Sequence, residues 1–492
     1  MIAAAAAFET PSVHLGPILP ALLLTIGALV LLLVGSFESR SARVTSGVIG
    51  LVTFAGAGIA TWYLWNNGDG TAFSGQLAAD RYSALVQAIV CASGVASILL
   101  GWGTRRLGDR IAEYYALLCF AGAGMCLLAS ANGFVTLFVA LELFSVSLYV
   151  LCALDVHNAA SLESGLKYLV TGSVGSAALL FGSGLAYIAT GSLRFDEIGK
   201  ALRGGAPHTG ILLLGIAMII AGFAFKVSAA PFHMWTPDVY EGAPTAVMAF
   251  MATATKTIAL ATLLRVMVTA FAPTSGVWQG AVAAVAIASM LIGNIAALRQ
   301  TNVKRMLAYS SVGQAGYLLI AVVVHTPLSA RAMLYYLAVY AAMNLGAIAV
   351  VSVRERELGG PVSIDDLRGL GRDHPLLAAG LALCLLSLMS FPPTGGFLAK
   401  VYLFGSAIDA GMSYLAVFGV IGTMISLGYY LPAMLAIYRR PAGETAPRTV
   451  AGTRLAALTV IAAAAVVLWL GVAPAPFVDM ARTAAASLVA NG

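Results

Sequence analysis

Four ionisable side chains stand in the interior of long apolar runs, where their types and depth could carry protons. Glu142 lies in LFVALELFSVSLY, Lys226 in GFAFKVSAAPFHMW, Lys256 in FMATATKTIAL and Lys400 in FPPTGGFLAKVYLF. A charge at the centre of a membrane-crossing helix costs about 2.5–3.5 kcal/mol on insertion scales, so four of them imply a use. Burial disfavours an ammonium group and a neighbouring carboxylate favours it. A lysine held between these influences can take up and release a proton, with about 1.4 kcal/mol setting each decade of occupancy. The expected arrangement pairs Glu142 with Lys226, makes Lys256 the central relay and has Lys400 hand protons toward the outside.

Other ionisable groups carry weaker signals. Lys167 has Glu163 four residues earlier on the same helical face, so an ion pair competes with a relay role. Arg265 lies near one end of its span and is expected to snorkel to the surface. His233 could shuttle a proton or satisfy freed carbonyls, and His325 could act as an exit group. Asp238 and Glu241, in TPDVYEGAPT, are expected to tether a helix end at the surface. His14, His157, His208 and His374 fall in loops or at span ends. No two histidines have metal-ligand spacing, and the five cysteines, Cys91, Cys119, Cys126, Cys152 and Cys384, show no CxxC pattern, so no metal or cluster is expected.

The elements that position these residues are membrane helices. The chain of 492 residues is 60% hydrophobic and 10% charged, against about 25% charged in soluble proteins. Apolar runs of about 20 residues suggest an all-α polytopic fold of about fourteen spans, near 13–36, 44–65, 82–102, 111–129, 132–154, 161–190, 209–240, 244–271, 276–298, 303–324, 328–353, 374–408, 412–438 and 453–473. The N-terminus lacks a basic lead, and the first apolar run is too long for a signal core. Of the 27 Lys and Arg, sixteen fall on one side of this arrangement, among them Arg40, Arg105, Arg106, Arg110, Arg299, Lys304, Arg305, Arg354, Arg356, Arg439, Arg440 and Arg448. Six fall on the other side: Arg81, Arg194, Lys200, Arg203, Arg331 and Arg482. The positive-inside rule then puts both termini outside. The net charge of +6 reads as topology rather than nucleic-acid binding, because no basic-aromatic run accompanies it.

Two spans are long and interrupted. Pro231 and Pro237 should break the seventh, and Pro392 and Pro393 the twelfth, because proline lacks the amide donor and clashes with the preceding turn. Breaks five spans apart point to two inverted five-helix repeats around a midplane ion site. The division is 1–110 for an N-terminal three-helix segment, 111–271 and 276–438 for the repeats, and 439–492 for the last span and tail. No nucleotide, haem or flavin motif is present, so the driving energy must come from elsewhere.

Read together, FKVSAAPFHMWTPDVYEGAPTAVMAFMATATKT, QTNVKRMLAYSSVGQAGYLL and FPPTGGFLAKVYLF resemble the antiporter-like subunits of respiratory complex I, the bacterial NADH-quinone oxidoreductase. PDVYEGAPT and PPTGGF resemble the subunit N branch in particular. The resemblance covers residues 110 to 440. It implies a proton-conducting membrane-arm chain in the bacterial inner (cytoplasmic) membrane, among other membrane-arm subunits. It also implies that this chain binds no cofactor, with NADH, FMN, iron–sulfur clusters and quinone handled by other subunits. The family's functional glutamate and three lysines fall on Glu142, Lys226, Lys256 and Lys400. The chain ends soon after its last span, which suits this branch. Cation/proton antiporters share the lysine pattern, so a subunit of a multi-subunit cation/proton antiporter is the alternative.

Overall fold

A computed structural model describes residues 15–37, 42–68, 70–102, 110–205, 210–440 and 452–490. His14, His208, Arg40, Arg105, Arg106 and Arg448 lie outside the described residues. The chain is a bundle of helices: α1 (Leu19–Gly35), α2 (Ala42–Asn67), α3 (Arg81–Gly101), α4 (Ile111–Ala129), α5 (Phe134–Cys152), α6 (Ala159–Thr190) and the short α7 (Phe195–Arg203). Then come α8 (Gly210–Lys226), α9 (Trp235–Gly242), α10 (Thr245–Phe250), α11 (Lys256–Thr269), α12 (Ser275–Ala297), α13 (Val303–Val324) and α14 (Pro327–Leu358). The remainder is α15 (Leu370–Asp373), α16 (Pro375–Leu388), α17 (Gly395–Asp409), α18 (Ser413–Tyr438), α19 (Thr453–Val472) and α20 (Ala475–Ala490). One small antiparallel hairpin, β1 (Thr71–Ala72) with β2 (Leu77–Ala78), closes the α2–α3 connection.

Among the described residues, twelve continuous helices are long and apolar enough to cross a membrane. The two spans expected to be broken are the ones absent from that count. Each is a pair of shorter helices, α8 with α9 and α16 with α17. Fourteen crossings result only if each broken pair counts once.

The innermost helices are α10–α11, α13 and α14, whereas α1 and α19 sit at the periphery with most of their side chains turned outward. Lys256 belongs to α11 and is thus on the most enclosed helix of the bundle. Close helix approach depends on small residues, as expected where lipid offers no hydrophobic gain for association. An ideal Cβ on Gly182 of α6 would stand 2.7 Å from the Gly215 carbonyl of α8, and one on Gly222 of α8 would stand 2.8 Å from the Gly175 carbonyl of α6. This backbone contact fixes the end of α8, where Lys226 sits.

Both breaks have the same internal geometry. In the first, Ser228 takes a left-handed φ of 61°, its N–H reaches the Phe225 carbonyl, and the Ala229 N–H reaches the Ala224 carbonyl. In the second, Ser390 has φ 63°, its N–H reaches Ser387 and the Phe391 N–H reaches Leu386. Each is a Schellman cap, the six-to-one and five-to-two pair that closes a helix C-terminus. Each has a cis proline three residues past the serine, at Pro231 and Pro393. Pro237 does not break the chain, contrary to the sequence expectation. It falls in the first turn of α9, where the missing N–H has no intrahelical partner to lose.

Arg265 also departs from expectation. It is buried at 1% exposure and bonds Asp80, the N-cap residue of α3, through Nη1–Oδ2 at 2.8 Å and Nη2–Oδ1 at 2.9 Å. A partner within reach removes the reason to snorkel. The C-terminal stretch, read from sequence as a tail, forms α20, and its Ser487 accepts the Tyr82 N–H at 3.2 Å.

Candidate functional site

Where α8 stops, its freed backbone groups need partners, since a buried unpaired carbonyl or amide costs about 1–3 kcal/mol. In an unbroken helix the Val227 carbonyl would accept from residue 231, but Pro231 has no N–H. Lys256 supplies the donor instead, its Nζ lying 3.1 Å from the Val227 oxygen and 2.7 Å from the Ser311 carbonyl of α13. The Ala230 N–H donates to Ser289 Oγ of α12 at 2.8 Å, and Trp235 Nε1 donates to the Phe225 carbonyl at 3.2 Å. The ammonium of Lys256 therefore touches backbone oxygens only, and among the described residues no carboxylate pairs with it.

Lys226 is buried one residue before that carbonyl. Its Nζ donates to Ser145 Oγ of α5 at 2.8 Å. Four aromatic rings surround it, with centroids 5.4 Å (Phe144), 5.8 Å (Tyr149), 5.9 Å (Tyr168) and 5.9 Å (Phe225) from the nitrogen, so their quadrupoles supplement the single hydrogen bond. The indole of Trp235, in α9 beyond the break, stacks on Tyr168 at 4.6 Å and on Phe225 at 5.3 Å. The break thus folds its own downstream half over the cage of the lysine upstream.

Glu142 lies one turn before Ser145 on α5. The expected ion pair with Lys226 is not made in this structure; the ammonium donates to Ser145 instead. Glu142 is half-buried, on the face that also carries the exposed Val139 and Val146, and its Oε1 is buried without a hydrogen-bond partner.

Lys400, buried in α17, donates to Thr423 Oγ1 of α18 at 2.9 Å and stands 4.1 Å from the centroid of Tyr317. Lys226 and Lys256 are thus joined through adjacent residues at one break, while Lys400 stands apart beyond the second.

Lys167 meets Glu163 at 2.7 Å, as its spacing predicts, and also Asp238 at 2.8 Å. Asp238 bridges onward to Arg305 at 2.7 Å, and Arg305 reaches Glu241 at 2.9 Å. This half-exposed network ties α6, α9 and α13 together, the tethering expected of Asp238 and Glu241. The His233 ring sits inside the first break with its buried Nδ1 unpartnered. His325 ends α13 in a left-handed conformation, its Nδ1 2.9 Å from the Val323 oxygen and its ring against Trp278.

The family pattern described as NADH:quinone oxidoreductase/Mrp antiporter, TM, matches residues 131–426, which contain every residue named above in this site. The chain belongs to this family. Among curated members, NADH-quinone oxidoreductase subunit N of Methylobacterium nodulans is 41% identical over 96% of this chain and 98% of its own length. Subunit N of Rhodospirillum rubrum is 40% identical over 97% and 98%. A chain in the structure of respiratory complex I from Thermus thermophilus with bound aureothin superposes with a TM-score of 0.80 at 33% identity, over 94% of this chain and 98% of that one. A chain of the Mrp complex from Dietzia sp. shares the fold, with a TM-score of 0.83 at 20% identity over 96% and 97%.

Within this family member, two features escaped sequence reading. Lys304 counted as a loop residue, yet it is buried at the start of α13, 2.8 Å from the Ala243 carbonyl and 3.8 Å from Glu355. The π-turn Met251–Thr255 runs directly into Lys256; such wide turns recur at functional sites, and no residue pattern announced it. The identical breaks, by contrast, had a readable signal in the shared spacing Ser-x-x-Pro at 228–231 and 390–393.

Proposed function

We propose that this chain is a proton-translocating membrane-arm subunit of an NADH-quinone oxidoreductase. It holds no redox centre of its own and works among the complex's other membrane subunits in a bacterial inner membrane. The observation that carries the reading is Lys256: a buried amine, without a carboxylate partner, on the carbonyl that Pro231 leaves free. An amine held only by backbone dipoles can lose its proton without leaving a buried anion behind.

Protons pass, in this reading, among Glu142, Lys226, Lys256 and Lys400, with Lys167, His233 and His325 as secondary relay groups. The repeated Schellman–proline break supports a division into five-helix units at 111–271 and 276–438, flanked by 1–110 and 439–492. The uneven basic residues support both termini outside. Curated relatives near 40% identity carry the oxidoreductase name, which favours this reading over a cation/proton antiporter subunit.

The test is NADH-driven acidification of membrane vesicles holding the assembled complex with Lys226→Ala or Lys256→Ala. Loss of acidification with quinone reduction retained under uncoupler supports the proposal, and undiminished acidification overturns it. Pumping that follows the sodium gradient rather than NADH oxidation would move the assignment to the antiporter.

A further inference from the structure

Between Lys256 and Lys400 polar side chains of α12, α13 and α18 stand in succession. Lys256 donates to the Ser311 carbonyl, and the hydroxyl of the neighbouring Ser310 pairs with Tyr430, whose ring lies 4.3 Å from that of Tyr429. The Tyr429 hydroxyl donates to Asn294 Oδ1 at 2.8 Å, and Asn294 Nδ2 donates to the Tyr317 hydroxyl at 3.0 Å. Tyr317 is the ring beneath Lys400.

The amide in the middle is fixed in orientation. Its nitrogen also donates to the Met290 carbonyl at 2.7 Å. An amide oxygen carries no hydrogen and would face another acceptor there, so Oδ1 must face Tyr429. Two glycines make the slot that holds it. An ideal Cβ on Gly313 would stand 3.0 Å from both amide atoms, and one on Gly422 would stand 2.8 Å from the Tyr317 hydroxyl.

A proton moves along such a line only if each group accepts on one side and donates on the other. Hydroxyl groups do both. The Asn294 nitrogen carries two donors and accepts nothing. Passing a proton through it would require protonating Oδ1 and stripping Nδ2, which leaves the side chain as an imidic acid. Every other side-chain member of the line from Ser310 to Tyr317 is a hydroxyl, so among these side chains the amide is the one that cannot relay a proton.

We infer that Asn294, clasped between Tyr429 and Tyr317, is a proton stop separating Lys256 from Lys400, and that transfer between these lysines requires the clasp to open. The inference rests on the proton-translocation reading above and adds to it the position of a valve. A closed clasp holds back return flow whenever no driving energy arrives. Asn294 is a positioning residue, since it acts by holding two hydroxyls apart in function while joining them in space.

The experiment uses the assembled complex in proteoliposomes with a pH-sensitive dye inside. Asn294→Asp keeps the shape but supplies a protonated carboxyl, whose O–H takes the nitrogen's place beside the Met290 carbonyl and Tyr317 while the other oxygen accepts from Tyr429. The pH gradient held at a given NADH oxidation rate is expected to fall, and its decay after NADH is exhausted to speed up several-fold. Adding Lys400→Ala is expected to return the decay to the wild-type rate, which a merely structural defect would not allow. Gly422→Ala gives an independent route, because its methyl pushes the Tyr317 hydroxyl off the amide; the same faster decay is expected. Wild-type decay in whichever of these variants assembles overturns the inference. If NADH-driven acidification proves independent of Lys256, the translocation reading itself has failed. If it needs Lys256 while Asn294→Asp holds its gradient, only the valve falls.

Discussion

Lys256→Met separates the structural work of this amine from its chemical work. The substitution removes both hydrogen bonds and orphans the Val227 carbonyl, which Pro231 cannot serve. That loss costs about 1–3 kcal/mol, and the variant no longer buries a charge, so the net destabilisation is small enough for assembly to survive. Transfer suffers more. Without a titratable group here, the migrating proton crosses the same depth as an unsupported charge, at a penalty of about 2.5–3.5 kcal/mol. At about 1.4 kcal/mol per decade, transfer through this chain slows roughly a hundredfold. The assay is acidification by proteoliposomes of the complex, normalised to the uncoupled NADH oxidation rate. Lys256→Arg is the necessary control, because guanidinium keeps the charge and the donors but does not release a proton in proteins. It should assemble like wild type and fail to pump like the methionine variant. Wild-type proton yield from Lys256→Arg would refute the claim that this residue must lose its proton.

Three further outcomes follow from the packing. Asp80→Ala leaves the Arg265 guanidinium buried without its carboxylate, so the detergent-solubilised complex should lose about 3–5 kcal/mol of local stability, visible as a lower melting temperature, with Asp80→Ala/Arg265→Leu recovering most of it. Ser390→Gly should be neutral or stabilising by up to about 1 kcal/mol, because a left-handed residue other than glycine costs about 1–2 kcal/mol; Ser390→Val, β-branched in the same conformation, should lower the yield of assembled complex. Lys167→Ala should leave the melting temperature nearly unchanged, since the lysine and its carboxylate partners are solvent-screened, and a large pumping defect without a stability change would assign it to the relay.

Much of the fold was legible because membranes constrain sequence so strongly. Apolar length gave the crossings, and prolines gave the two breaks. Pro237 misled because a proline breaks a helix only beyond its first turn, and α9 begins at Trp235, which packs on Tyr168 and Phe225 of other helices. Arg265 misled because its partner, Asp80, is 185 positions away. The same limit hid the contact that matters most. Spacing located Lys226 and Lys256 at similar depth, but only the folded chain puts the second amine on the carbonyl next to the first. Glu142 was found by type and depth, yet its hydrogen-bonding neighbour on α5, not the glutamate itself, takes the Lys226 ammonium.

The two breaks explain how three of the four buried lysines among the described residues, Lys226, Lys256 and Lys400, are carried at tolerable cost. Each Schellman cap followed by proline releases buried backbone groups, and side chains from other helices serve them. At the first break a lysine from the next helix serves as the donor. The need for that donor pulls Lys256 inward against the desolvation of its own charge, so two penalties offset one another. At the second break Ser387 Oγ accepts the Gly396 N–H at 3.1 Å, and the nearby lysine, Lys400, rests on a hydroxyl and an aromatic face instead. The same backbone motif thus holds one lysine by carbonyls and leaves the other free of them, and the Asn294 clasp lies between the two. A chain built this way can hold protons at both breaks independently, which a transfer in steps requires and a continuous wire does not.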